Sequence, residues 1–252
     1  MKVYFVGAGP GDPELLTLKA QRLLKSCKYC IYAGSLVSPD VVTECAETTK
    51  LYDSAGMTLE EMEEVFIQAR DEQEDLVRLH TGDPSIYGAI REQMNSLDRL
   101  GIDYEVVPGV SSFQAAAAAL STELTAPEVS QTIILSRTSG RTPMPEKEKL
   151  EVLAQSRSTL CLFLSVHKMD EVAKNLARFY GEECPAAIVF HASWPDQQIV
   201  RGTLKDIAAK VATAAIRKTA MIVVGQALSR DIPVSKLYHR HFTHGYRQGE
   251  GQ

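Results

Sequence analysis

Three segments place glycine, aspartate or serine directly after apolar, strand-like runs, a pattern typical of ligand-binding turns. They are GAGPGDP from Gly7, TGDP from Thr81 and PGVSS from Pro108. Ligands of open α/β sheets bind at the carboxyl ends of the strands, where such turns lie. We therefore expect the three segments to border one shared crevice.

The first segment is similar to a dinucleotide-binding loop but lacks features that a pyrophosphate needs. A G-x-G-x-x-G loop binds the anion with backbone amides at a helix N-terminus, whereas Asp12 stands at the third glycine position here. Pro10 has no amide hydrogen, and Asp12 followed by Pro13 is typical of an N-cap and first helical residue. No Gly-Lys-Ser/Thr follows, which excludes a P-loop. The pattern favours a neutral or cationic ligand, or a tight turn without a ligand.

The residues suited to acid–base chemistry leave two interpretations open. His80 and His191 each lie at a predicted strand end, where a histidine serves either as a general base or as a hydrogen-bonded structural residue. Asp83, followed by Pro84, can cap a helix that begins there or accept a hydrogen bond from a ligand. The sequence therefore names no catalytic residue.

The composition excludes several classes of protein. The 252-residue chain has a net charge of −5 and no basic block, which argues against a long nucleic-acid interface. It contains no apolar run of about 18 residues, so we expect no membrane span and a cytoplasmic protein. The five cysteines predict no disulfide framework, and Cys27 and Cys30 are expected to pack in the core. His239, His241 and His244 are expected to be solvated, and no metal site is predicted.

Strand-like and helix-like segments alternate in two series, which predicts two α/β domains with mostly parallel sheets. Strands are expected near residues 3–6, 30–32, 76–80 and 104–107, and again near 132–136, 159–164, 187–190, 198–203 and 220–224. A polar segment from Ser121 separates the two series. We place an N-terminal domain at residues 1–122, a C-terminal domain at 123–230 and a flexible tail at 231–252.

The three turns also resemble those of a known family. VGAGPGDPELLTLKA, HTGDPSIYGAI and VVPGVSSFQAAAA are similar to signature segments of the tetrapyrrole methylases, the S-adenosylmethionine-dependent enzymes of cobalamin and sirohaem synthesis. The resemblance continues to about Leu228 through AGSLVSPD, DSAGMTLEEM, SRTSGRTPMPE, LFLSVHKM, HASWPDQQIVRGTL and RKTAMIVVGQAL. YAGSLVS, SAGM and GRTPMPE most resemble the members that methylate carbon 11 of precorrin-4 or cobalt-precorrin-4.

The resemblance implies two α/β domains of the tetrapyrrole methylase type, with the cofactor in the cleft between them, rather than a classical Rossmann methyltransferase. It further implies S-adenosylmethionine as cofactor, S-adenosylhomocysteine as product, a tetrapyrrole substrate and a homodimer. Carried over by position, it assigns the cofactor site to Pro10, Thr81, Gly82, Asp83, Ile86, Ser111, Ser112, Leu164, Ala192, Ala220 and Met221.

The implied substrate carries many carboxylates, which basic side chains would bind. Arg137 and Arg141 lie in a loop rich in Ser, Thr, Gly and Pro and are candidates for this role, although surface arginines are often only solvated. Ser35 and Met57 are further candidates for substrate contact. Three aromatic residues beside matched positions are expected either to line the cleft or to pack in the core: Tyr87, Phe163 and Trp194.

Three alternatives remain open at the level of sequence. A sister tetrapyrrole methylase would act at another ring carbon, as in methylation of uroporphyrinogen III or precorrin-2 and precorrin-3. The related fold that methylates ribosomal RNA is disfavoured by the acidic net charge. A nucleotide-binding protein without methylase activity would rest on the first glycine loop alone.

Overall fold

The computed structural model describes residues 1–140, 142–233 and 235–249, and its internal contacts divide the chain into two units. Unit 1 comprises Met1–Ala119 with His191–Gln198, and unit 2 comprises Leu120–Phe190 with Ile199–Gln252. Each unit contains a five-stranded sheet with helices, so the expected α/β class is confirmed. The sequence-based boundary at residue 122 stays a prediction.

The sheet of unit 1 is parallel throughout, with the strand order β3-β2-β4-β1-β5. Its strands are β1 (Lys2–Gly7), β2 (Tyr29–Tyr32), β3 (Lys50–Asp53), β4 (Leu76–His80) and β5 (Asp103–Val107). The helices of this part of the chain are α1 (Leu18–Ser26), α2 (Pro39–Val42), α3 (Leu59–Asp71), α4 (Arg91–Leu100) and α5 (Ser112–Leu120). Strand β3 was not predicted, because it is an exposed edge strand with little apolar signal.

Apolar clusters cover both faces of this sheet. On one face α1 and α2 pack against Val77 and Leu79, and on the other α3 and α4 pack against Phe5 and Ile31. Burial of one such side chain stabilises the fold by about 1.5–3 kcal/mol. Because successive side chains of a strand point to opposite faces, Arg78 and His80 lie on the face covered by α3 and α4.

The Asp12-Pro13 pair caps a short helical turn as expected, whereas the expectation of a helix directly after Asp83-Pro84 is wrong. Asp12 caps a single 3-10 turn, Pro13–Leu15, and α1 begins only after Thr17, whose side chain caps it. After Asp83 the chain forms turns through residue 87, and α4 begins at Arg91. An Asp-Pro pair specifies a capped turn, and it does not specify whether a helix continues from that turn.

The sheet of unit 2 is mixed, with the strand order β6-β7-β10-β8-β9. Its strands are β6 (Ile133–Arg137), β7 (Thr159–Phe163), β8 (Pro185–Phe190), β9 (Gln198–Thr203) and β10 (Ala220–Val224), and its helices are α6 (Leu150–Leu153), α7 (Met169–Tyr180) and α8 (Ile207–Thr213). Strands β6 and β7 are parallel, whereas β10 runs antiparallel to both β7 and β8. The expectation of a mostly parallel sheet is therefore wrong for this unit, because apolar periodicity does not encode strand direction.

The remaining features of the chain bear on the expectations for cysteine, metal and the C-terminal segment. Cys27 and Cys30 both pack in the core, as expected. Within residues 235–249, the Arg247 guanidinium donates hydrogen bonds to the carbonyl groups of Leu237, His239 and Phe242. No helix in the described ranges is long and apolar enough to cross a membrane, and no group of three or more His, Cys, Asp or Glu in those ranges is arranged to hold a metal ion. The flexibility of residues 231–252 stays a prediction.

Three glycines bring the ends of β4, β1 and β5 into direct backbone contact. Gly7 ends β1, and a β-carbon there would lie 2.6 Å from the Cα of Gly109 and 2.6 Å from the carbonyl oxygen of Gly82. A β-carbon at Gly109 would overlap that same oxygen. Only glycine permits so close an approach. The backbones of Gly9 and Gly82 also exchange two hydrogen bonds, of 3.2 and 2.8 Å.

Gly109→Ala is expected to lower the free energy of unfolding by about 1–3 kcal/mol, because its methyl group must displace the Gly82 backbone. Gly56→Ala is the matched control in unit 1, since no atom lies within 4 Å of its β-carbon position. We expect the control to change stability by less than about 0.5 kcal/mol. Denaturant titration followed by circular dichroism measures both variants, and equal effects would contradict the packing argument.

Candidate functional site

Asp83 joins the second and third turns through its two carboxylate oxygens. Its Oδ1 accepts a hydrogen bond from the Ser85 amide at 2.8 Å, and its Oδ2 accepts one from the Gly109 amide at 3.0 Å. Hydrogen bonds to an ionised acceptor are among the stronger ones in proteins. Of the two roles that the sequence left open for Asp83, the structure shows the turn-capping one.

The cofactor candidates of unit 1 lie along the edge formed by the ends of β1, β4 and β5. Thr81 and Gly82 follow β4 directly, and a β-carbon at Gly82 would lie 3.6 Å from both the Cα of Ser111 and the amide nitrogen of Ser112. The Ile86 amide donates to the Asp83 carbonyl at 3.2 Å. The candidates that are partly exposed at this edge are Thr81, Asp83, Ile86 and Ser112, and those that are buried are Pro10, Gly82 and Ser111.

Trp194, the single tryptophan of the chain, packs on the first turn. Its indole Nε1 donates a hydrogen bond of 2.7 Å to the Pro10 carbonyl, and a β-carbon at Gly11 would overlap the indole ring. The neighbouring Ser193 hydroxyl accepts a hydrogen bond of 3.1 Å from the Asp12 amide. These contacts fix residues 10–12. The cofactor candidate Ala192 belongs to unit 1 as well and lies two residues before Trp194 in the chain.

His191 stacks on Trp194, with ring centroids 4.3 Å apart and an interplanar angle of 24°. Its Nδ1 lies 2.9 Å from a carboxylate oxygen of Asp196. Both His191 and Ser193 have positive φ angles, of 46° and 72°, which cost of order 1 kcal/mol or more for residues other than glycine. The stack and the carboxylate contact hold this strained segment, so His191 has a structural role here.

His80, the other candidate general base, is only 4 % exposed. Burial, and to a lesser degree the positive charge of Arg78, lower the pKa of His80 to about 3. The imidazole is therefore neutral near pH 7 and a weak base. Its Nε2 has no hydrogen-bond partner in the described part of the chain. A role for His80 in proton abstraction is disfavoured.

The substrate candidates of unit 1 follow β2 and β3, further along the same edge. Ser35 is exposed, and Met57 packs half-buried against the cluster under α3 and α4. Asp53 joins the two turns, because its Oδ1 accepts hydrogen bonds from the amides of Gly34 at 3.0 Å and Ala55 at 2.9 Å. The sequence-based candidates did not include Asp53. The signal was present, since an aspartate directly precedes Ser-Ala-Gly at the end of β3.

In unit 2, three cofactor candidates share one edge of the mixed sheet. Because β10 runs antiparallel to β7 and β8, its first residues Ala220 and Met221 lie beside the last residues of β8. Leu164 follows the last residue of β7 and is 60 % exposed, with a φ angle of 53°. A branched apolar residue held exposed in the left-handed region is strained, and such strain concentrates at functional sites.

The substrate candidate Arg137 is the last residue of β6 and lies at this edge as well. Its guanidinium donates hydrogen bonds of 3.1–3.4 Å to the carbonyl groups of Thr138, Thr142 and Pro143. Arg137 therefore folds its own loop, and its contact with a substrate stays a prediction. The other candidate, Arg141, lies outside the described residues.

Comparison with known proteins gives one family. The family model for Tetrapyrrole (Corrin/Porphyrin) Methylases matches residues 2–208. The cobalt-precorrin-4 C(11)-methyltransferase of Methanocaldococcus jannaschii is 53% identical over 249 residues, which cover 98% of this chain and 96% of that protein. The precorrin-4 C(11)-methyltransferase of Pseudomonas aeruginosa is 49% identical over 251 residues, which cover 99% of this chain and 100% of that protein.

Solved structures agree with this result. The X-ray structure of a cobalt precorrin-4 methyltransferase has a TM-score of 0.88 at 47% identity, over 90% of this chain and 96% of that chain. A uroporphyrin-III C-methyltransferase from Thermus thermophilus, complexed with S-adenosylhomocysteine, has a TM-score of 0.75 at 30% identity, over 90% of this chain and 99% of that chain. With a family model that spans most of the sequence and relatives aligned from end to end, the chain belongs to the tetrapyrrole methylase family.

Proposed function

We propose that the protein transfers a methyl group from S-adenosylmethionine to carbon 11 of precorrin-4 or cobalt-precorrin-4, in cobalamin biosynthesis. The observation that carries this proposal is the identity of 49–53% to two C(11)-methyltransferases over almost the whole chain. The names of these relatives differ in whether the substrate contains cobalt, so the proposal includes both substrates.

The edge of unit 1 suits a cationic methyl donor better than a dinucleotide. Pro10 offers a carbonyl group but no amide donor, and the carboxylate of Asp83 lies between the second and third turns. A pyrophosphate would be repelled by such a carboxylate, whereas a sulfonium would not. Pro10 and Asp83 therefore both fit S-adenosylmethionine as the ligand. This cofactor supplies an activated methyl group on sulfur.

The substrate carbon can attack that methyl group without a nucleophile from the enzyme. The remaining contribution of the protein is to hold the two reactants in line and to exclude water. Backbone-lined turns braced by buried contacts suit this task. We propose that the cofactor contacts the candidates of both units: Pro10, Thr81, Gly82, Asp83, Ile86, Ser111, Ser112, Leu164, Ala192, Ala220 and Met221.

On the substrate side, we propose that Ser35, Met57, Arg137 and Arg141 face the macrocycle. The net charge of −5 would repel a polycarboxylate, so local positive charge is needed where the substrate binds. We further propose that the protein works in the cytoplasm as a homodimer, which rests on the family resemblance alone.

A sister activity at another ring carbon is the second candidate function. It is supported by the TM-score of 0.75 to a uroporphyrin-III C-methyltransferase. It is disfavoured because that protein shares 30% identity with this chain, against 53% for the C(11)-methyltransferase of Methanocaldococcus jannaschii.

Incubation of the purified protein with precorrin-4, cobalt-precorrin-4 and S-adenosylmethionine carrying a carbon-13 methyl group tests the proposed function. We expect one labelled methyl group per product, located at carbon 11 by NMR. Methylation of uroporphyrinogen III in a parallel reaction, or a label at another ring carbon, would support the sister activity and contradict the proposal.

Asp83→Asn is expected to weaken binding of S-adenosylhomocysteine about tenfold or more, because an amide cannot accept from both Ser85 and Gly109 and a hydrogen bond to a charged group is worth about 1.5–3 kcal/mol. Asp53→Asn is the charge-matched control, since it removes one negative charge while both amide donors contact the Oδ1 of Asp53, an acceptor that asparagine retains.

We expect Asp53→Asn to leave both the affinity for S-adenosylhomocysteine and the KM for the tetrapyrrole within about twofold. Isothermal titration calorimetry and steady-state kinetics provide the two readouts. Equal loss of S-adenosylhomocysteine affinity in both variants would show that neither carboxylate is specific to the cofactor.

Replacement of both Arg137 and Arg141 by alanine is expected to raise the KM for the tetrapyrrole about tenfold or more, since charged hydrogen bonds to its carboxylates would be lost. The affinity for S-adenosylhomocysteine should change by less than about twofold. Replacement of Lys174 and Arg178, exposed on α7, removes the same charge elsewhere in unit 2 and is the control. An unchanged KM in the Arg137 and Arg141 variant would rule out their role.

A further inference from the structure

Arg78 is a buried cation without a carboxylate partner in the described part of the chain. It is 5 % exposed, on the face of the sheet covered by α3 and α4. Its Nη1 donates to the carbonyl groups of Ile31 and Leu79, each at 3.3 Å. Burial lowers the pKa of Arg78 to about 10, so the side chain still carries its charge near pH 7. A buried charge without a counter-charge is costly, and its presence calls for a compensating role.

The third acceptor of Arg78 is the side chain of Gln93. The Nε of Arg78 donates to the Oε1 of Gln93 at 2.9 Å. Gln93 is 2 % exposed and lies in the first turn of α4. The side-chain Nε2 of Gln93 donates in turn to the carbonyl group of Ala89 at 2.9 Å. One glutamine therefore connects the buried cation to the chain segment that precedes α4.

That segment, residues 84–90, is strained and carries the cofactor candidate Ile86. Tyr87 and Ala89 have φ angles of 55° and 49°, in a region that residues other than glycine rarely adopt. At Gly88 a β-carbon would overlap the carbonyl oxygen of Pro84, so the backbone folds back closely on itself. Strain of this kind persists only where surrounding contacts hold it.

We propose that Arg78 and Gln93 are positioning residues, which hold residues 84–90 in the conformation that the methyl donor binds. Arg78 anchors the first turn of α4 through Gln93, and Gln93 ties that turn back to Ala89. Residues 84–90 then already have the binding conformation in the ligand-free protein. The affinity for the ligand is therefore not reduced by a population of other conformers. The identity of the ligand rests on the proposed function, whereas the conformational claim does not.

Gln93→Leu tests the proposal, with Leu97→Ala as control. The first substitution removes both hydrogen bonds of Gln93 at similar side-chain size. The second creates a cavity one turn further along α4. Leu97 is fully buried in the apolar cluster under α3 and α4, and its side chain has no hydrogen bond to Arg78 or Ala89. Both variants are expected to lose stability, so stability alone does not distinguish a positioning role from a merely structural one.

Two readouts make that distinction. In hydrogen-exchange mass spectrometry of the folded protein, Gln93→Leu should accelerate exchange within residues 84–90 about tenfold, and Leu97→Ala should not do so selectively. In calorimetry, Gln93→Leu should weaken S-adenosylhomocysteine about tenfold, with a smaller effect on kcat than on the KM for S-adenosylmethionine. Leu97→Ala should retain the affinity of the unmodified protein.

Gln93→Glu separates the two hydrogen bonds of Gln93. A glutamate keeps an acceptor for Arg78 but has no donor for the Ala89 carbonyl, so exchange of residues 84–90 should stay accelerated and the affinity for S-adenosylhomocysteine should stay weakened. Exchange of residues 84–90 as slow as in the unmodified protein, in either Gln93→Leu or Gln93→Glu, would overturn the role of the Arg78–Gln93 pair. If the unmodified protein did not bind S-adenosylhomocysteine, the proposed function would fail, and the exchange data would still decide the positioning claim.

Discussion

The candidate site depends on the direct contact between backbones at Gly7, Gly82 and Gly109. These residues lie at the ends of three neighbouring strands, β1, β4 and β5, where a side chain at Gly7 or Gly109 would force the strand ends apart. The contact brings the three turns that follow those strands to one edge of the sheet. At Gly7 and Gly109 the edge consists of backbone alone, because the close approach there excludes side chains.

Charged and aromatic side chains at the candidate edges of the two sheets serve mainly to hold backbone in place. Asp83 and Asp53 each accept from two amides, Arg137 donates to three carbonyl groups, and Trp194 donates to Pro10. An enzyme that relies on its own nucleophile needs reactive side chains that are free to contact the substrate, and these side chains instead bind backbone. This arrangement is appropriate to methyl transfer from an activated donor, where rate is gained by holding the reactants in near-attack geometry.

The sequence predicted the α/β class, most of the strands and the family, because apolar periodicity and the three glycine-containing turns are local signals. It did not predict β3, whose residues are largely exposed, or the antiparallel direction of β10, which depends on pairing with distant strands. Asp12 and Asp83 were correctly taken as caps, but the helices begin later, because Thr17 and the turns after Asp83 intervene. The link from Arg78 to Ala89 was invisible in sequence, since it requires the packing of α4 on the sheet.

The central claim is that the edge resembling a dinucleotide cradle binds a methyl donor instead. Titration of the protein with S-adenosylhomocysteine and, separately, with NAD tests it most directly, with calorimetry as the measurement and the fluorescence of the single residue Trp194 as a local reporter beside Pro10. We expect saturable S-adenosylhomocysteine binding with a change in Trp194 emission and no binding of NAD. Saturable binding of NAD without binding of S-adenosylhomocysteine would contradict it.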